Sequence, residues 1–155
     1  MAAVRAVVGD GVAAALPASL GSGLPSTIHA LATGGEPLEA TAAAGSLVFP
    51  REHRRRVLLA AAVPVHLAIS LAWSVVLARL LPHRGTTLAG ALAGGGIGAL
   101  DLGVVGRLFP RVRALPRFPQ LLDHLAFGAI AGRVIARRRR ERASRAPRKA
   151  HISAA

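Results

Sequence analysis

The chain contains no cysteine and no tyrosine. The first absence excludes disulfides, thiolate metal sites and a thiol nucleophile. Aromatic residues make up 3% of the sequence, which leaves little for stacking on bases or sugars. Acidic residues are scarce too, 7 against 20 Lys and Arg in 155 positions, for a formal net charge of +13. Only 17% of the residues are charged, whereas an ordinary soluble domain has about 25%. That is too few to cover a core of this size with a water-facing surface. Hydrophobic residues, by contrast, reach 52%, with a mean hydropathy of +0.46. The balance predicts a small, helix-rich, basic membrane protein with no soluble catalytic domain.

A spanning helix needs about 20 mostly apolar residues. Gly11 to Gly35 is a run of 25 positions without Asp, Glu, Lys or Arg, Ala- and Gly-rich and interrupted by Pro17 and Pro25. Val57 to Ala78 gives 22 uncharged positions, rich in Leu, Val and Ile. Gly85 to Gly106 gives another 22, broken only by Asp101. Phe118 to Ala136 is the weakest run, because it holds Asp123, His124 and Arg133. The expected fold class is all-α: an integral membrane four-helix bundle with spans at about 11–33, 57–81, 85–106 and 118–136. Pro37 followed by the helix formers of Leu38 to Ala44 predicts a short helix lying at the interface. The arginine-rich stretch 137–155 reads as a basic, disordered tail. A cleaved signal peptide fits the N-terminus poorly, since Arg5 is followed by Asp10 and two prolines interrupt the apolar stretch.

Positive charge marks the cytoplasmic side of a membrane protein. With four spans, 8 basic residues fall on the face that carries the first and third loops and 12 on the other. If the fourth segment lay flat on the surface, 17 of the 20 would share one side. The charge rule therefore favours three spans. Four are expected all the same, because the fourth segment has a packing ridge.

Membrane helices associate through small residues four apart. Gly90, Gly94 and Gly98 form one such ridge, and Gly128 and Gly132 another, continuing from His124. His66, Ser70 and Ser74 make a polar stripe on the second span. Gly94, Gly96 and Ala99 match G-x-G-x-x-A, but no strand precedes them, so a dinucleotide site is not expected.

Five ionisable residues fall inside the expected spans: His29, His66, Asp101, Asp123 and His124. An intramembrane Asp costs about 2.5–3.5 kcal/mol to insert, so it should face the bundle interior and find a partner. At about 1.5 Å per residue, Asp101, Asp123 and His124 lie at similar depths from the same face, with His66 somewhat deeper. The set is expected to be a polar tie, with His66 or His124 the partner of Asp101 and within hydrogen-bond reach of it. A proton or ion path through the same Asp/His cluster is the alternative. A zinc site would be expected to show a ligand pair on one helix, which the spacing does not give. A haem held by two of the histidines is not expected either, and no metal, cofactor or catalytic residue is expected. Arg137, Arg138, Arg139 and Arg140 should meet anionic lipid headgroups at about 1 kcal/mol each. Nucleic acid is not an expected partner, because no aromatic accompanies them. A homo-oligomer or another membrane protein remains an expected partner class.

Gly23 to Leu31 (GLPSTIHAL), Asp101 to Arg107 (DLGVVGR) and Pro119 to Gly128 (PQLLDHLAFG) resemble small multipass proteins of high-GC bacteria. The resemblance implies a multipass architecture in a bacterial inner membrane and brings no activity, cofactor or catalytic residue. His66 to Arg79 also echoes His124 to Arg137 at an offset of 58, with six identities in fourteen positions. That echo is the pattern expected of duplicated helical hairpins.

Overall fold

The computed structural model describes residues 1–145, and every regular element among them is helical. They are α1 (Ala2–Ser22), α2 (Leu24–Thr33), α3 (Glu39–Gly45), α4 (Arg55–Leu80), α5 (Thr86–Leu100), α6 (Gly106–Leu108), α7 (Pro110–Ala114) and α8 (Arg117–Arg145). A π-helical turn, Asp101–Val105, joins α5 to α6. Three stretches are long and apolar enough to cross a membrane: Ala2–Thr33, Arg55–Leu80 and Thr86–Leu108.

The boundaries depart from the sequence reading at both ends. The first helix starts at Ala2 and takes in Arg5 and Asp10, because Asp10 is neutralised by partners described below. It then breaks at Gly23. Proline has no N–H, and its ring crowds the carbonyl four residues back. α1 and α4 absorb that at Pro17 and Pro64, but next to Gly23, which adds no helix propensity of its own, Pro25 marks the break. Gly23 turns the chain, and Pro25 takes its tolerated place in the first turn of α2. At the other end, residues 137–145, expected to begin a disordered tail, continue α8 to Arg145. Their arginines have helical neighbours to bond. The rest of that tail, 146–155, lies outside the described residues. The short helix α3 begins at Glu39, slightly later than the sequence suggests.

Just before α4, the Arg54 guanidinium and the Arg54 and His53 backbone N–H groups hold the Glu52 carboxyl down to about 2. That carboxylate satisfies the two backbone donors just ahead of α4 and fixes the turn that leads into it.

The long helices pack antiparallel in a row, α4–α1–α8–α5. The seams are built from small side chains around Ala14, Ala18, Ala78, Ala131 and the larger Leu77, Phe127 and Ile135. Small residues let backbones approach closely, and close approach is what drives helix association in lipid. The outer surface is the reverse of a soluble protein's. Val4, Val8, Val12, Leu16, Leu20, Leu24, Ile28 and Leu31 form one continuous exposed stripe along α1 and α2, with Leu20 72% exposed. Asp10, Ser19, Ser22, Ser26, Ser70 and Ser74 are buried.

Candidate functional site

The break at Gly23 frees backbone groups on both sides of it, and a buried free group must find a partner. The Ser19 carbonyl accepts from His66 Nε2–H on α4 at 3.2 Å and from the Ser22 hydroxyl at 3.2 Å. On the far side, the Ser26 N–H donates to the Asp123 carboxylate on α8 at 2.9 Å. Asp123 thus caps the start of α2 from a different helix, as an N-cap residue normally does from its own. The Gly23 carbonyl is taken by the Thr27 hydroxyl at 2.7 Å and the Ser26 hydroxyl at 3.3 Å. Two of the polar residues singled out in the sequence therefore mend the interruption between α1 and α2.

A second pair sits beside it. His124 Nε2 lies 3.3 Å from Asp101 Oδ2, and its Nδ1–H donates to the Gln120 carbonyl at 2.8 Å. Asp101 opens the π-helical turn. Turns of this kind insert one residue into the helical ladder and recur at functional sites. The His124 ring also packs against Gly98, where an added Cβ would come within 3.1 Å of it.

The five residues do not share one set of hydrogen bonds, although Asp123 lies within electrostatic reach of both His66 and His124. Asp101 meets His124, but His66 turns to Ser19 instead of Asp101. The expected Asp101–His66 approach fails because α1 and α8 stand between α4 and α5. Matching depth does not make two helices neighbours. His29 is exposed on α2 and lines a pocket of about 210 Å³ with Ser26, Glu39, Arg111 and Gln120. Glu39 and Arg111 pair across that pocket at 3.2 Å. No three metal-ligating side chains converge among the described residues.

At the opposite end, Asp10 is 2% exposed and carries a tie that the sequence reading missed. Arg138 Nε–H donates to it at 3.0 Å, and both terminal nitrogens of Arg142 reach its two oxygens. A signal was present: Asp10 is the only acid in the first 35 residues, and Arg138 and Arg142 are four apart on one helix face. Arg139 donates to the carbonyls of Ala78, Leu81 and Pro82 at 2.9, 3.1 and 3.0 Å, closing the end of α4. Arg137 pairs with Glu141 at 2.7 Å. The four arginines expected to share one role at the headgroups thus divide, with Arg138 and Arg139 bonded inside the protein. The reason is helical spacing, which points successive residues at different neighbours.

The two glycine ridges meet. A Cβ on Gly90 or Gly94 would overlap the carbonyl oxygen of Gly128 or His124, and one on Gly132 would come within 2.6 Å of the Thr86 carbonyl. Two further close approaches carried no sequence signal: Gly11 against Val75, and Gly45 against the Leu58 backbone. No protein family, curated protein or solved structure matches the chain.

Proposed function

We propose that the chain is a multipass integral membrane protein of a bacterial inner membrane, a bundle of four spans whose buried polar residues are structural ties, and that its role is accessory or structural and not enzymatic. The observation that carries this reading is the inverted surface: large apolar side chains outside, serines and an aspartate inside. Water would penalise that surface at about 25 cal/mol per Å², whereas lipid does not. The fourth span is supported by register. α8 runs antiparallel to α5 from Thr86 against Gly132 to Gly98 against Leu121 and His124, so it follows α5 down its length instead of lying across its end. Sodium carbonate at high pH should leave the intact protein in the membrane pellet. Reporters fused near Pro116 and after Arg145 should report opposite compartments. Release into the supernatant overturns the membrane reading, and a shared compartment overturns the fourth span alone.

The Asp101–His124 contact favours a second reading, a small proton-coupled carrier. Because Nδ1–H is committed to the Gln120 carbonyl, the Nε2···Oδ2 contact is a hydrogen bond only if the pair holds one further proton, on the ring or on the carboxyl. Holding that proton would make the pair an exchangeable proton site in a segment long and apolar enough to span a membrane. Asp101→Asn preserves shape and one acceptor but removes the exchangeable proton. On this reading the variant accumulates normally and loses pH-gradient-driven uptake in vesicles. Proton flux equal to that of the wild type would exclude the pair as the coupling site.

A further inference from the structure

The six residues Arg137 to Arg142 look alike in the sequence, but the helix sorts them. Arg137 is neutralised by Glu141, and Arg138 and Arg142 share Asp10. Arg139 bonds only carbonyls, so its charge is not cancelled, and three bonds leave two of its five N–H donors over. Arg140 has no carboxylate partner among the described residues. These two uncompensated guanidinium groups line the same cleft, of about 560 Å³, together with His83, Thr87 and Leu88. Among the described residues no Asp or Glu lines it. A guanidinium fork matches phosphate oxygens two at a time, so the chemistry of the cleft calls for a phosphate.

The surface below the cleft says what the phosphate is attached to. Leu88 and Leu92 are one helical turn apart on α5, and each is 67% exposed. They form an apolar track leading from the cleft mouth along the Thr86–Leu108 stretch. A free phosphate would use the cleft and leave that track bare, whereas a lipid fills both. Resting on the membrane reading above, we propose that this cleft between the start of α5 and the end of α8 binds an anionic phospholipid, its phosphate held by Arg140 and Arg139 and its acyl chains laid along Leu88 and Leu92.

Native mass spectrometry of the purified full chain in detergent tests this with phosphatidylglycerol, phosphatidylcholine and inorganic phosphate as probes. The wild type should retain phosphatidylglycerol in preference to phosphatidylcholine. Arg140→Gln should weaken phosphatidylglycerol binding about fivefold, the factor for one basic residue at a headgroup. Arg137→Gln removes the same charge outside the cleft and should change binding less than about twofold. Equal losses in the two variants, or no loss in Arg140→Gln, overturn the site. Displacement of the lipid by an equal concentration of inorganic phosphate overturns the lipid and leaves a phosphate site. Carbonate extraction of the same preparations separates the two levels: protein in the pellet with no lipid preference defeats the cleft alone, and protein in the supernatant defeats the membrane reading beneath it.

Discussion

Asp10 shows how much of this protein depends on single ionisable side chains. It is nearly fully buried, yet its two partners are each about two-fifths exposed, at 42% and 43%. Removing the carboxylate charge strands two guanidinium groups, but their exposure lets them turn outward. The cost of Asp10→Asn should therefore fall near about 1.5–3 kcal/mol, the range for hydrogen bonds to charged groups, and below the 3–5 kcal/mol of a fully buried broken pair. Thermal unfolding in detergent should show a lowered midpoint. The loss should be strongly non-additive with Arg142→Gln, because once the acid is gone the second change has little left to remove. Additive losses would mean that the three side chains do not act as a unit. Asp123 and His66 work differently, since each satisfies a backbone group and not a charge. Nothing in the residue types announced this. A histidine and an aspartate at similar depths look like a pair, and the Ser19 carbonyl and Ser26 N–H that claim them are invisible until the helix is known to break.

At the scale of the helix, glycine divides into positions that need the missing side chain and positions that do not. Gly94 faces the His124 carbonyl and Gly128, whereas Gly96, two residues on, has nothing within 4 Å of its Cβ direction. Gly94→Ala must push α5 and α8 apart and should lower the unfolding midpoint markedly, in the range of about 1–3 kcal/mol for overpacking. Gly96→Ala should be neutral or stabilising by up to about 1 kcal/mol, the helix-propensity difference. Equal effects at the two sites would show that the ridge does not form the seam. The elements themselves were largely legible in the sequence, because three apolar runs of span length and a four-residue glycine period are strong signals. The break at Gly23 was half legible, since Pro25 was visible but read as a flaw in a continuous span. The extension of α8 to Arg145 was not legible, because a run of arginines looks solvated until Asp10, Glu141 and three carbonyls are placed around it.

Across the whole molecule, the row α4–α1–α8–α5 puts the first and last long helices at the centre and the two middle ones at the edges. Neighbours in the chain are therefore not always neighbours in space. Only a three-dimensional arrangement could decide which polar groups met, and depth along each helix could not. The halves related by the offset of 58 share a direction, since α4 and α8 both run antiparallel to the helix they pack on. Each half presents its histidine toward that partner, His66 to Ser19 of α1 and His124 to Gly98 of α5.

The salt link between α1 and α8 joins residues 128 and 132 positions apart. A ribosome working at ~5–20 residues per second needs roughly 6 to 26 s to cover that distance. For that interval the nascent chain carries an early acid without the two arginines that pair with it, and an interrupted first helix whose Ser26 N–H waits for Asp123 of α8. The first helix is thus provisional until the last one is made. Any chain that stops short of Arg138 lacks both partners of Asp10 and keeps an unneutralised aspartate beside its first apolar stretch.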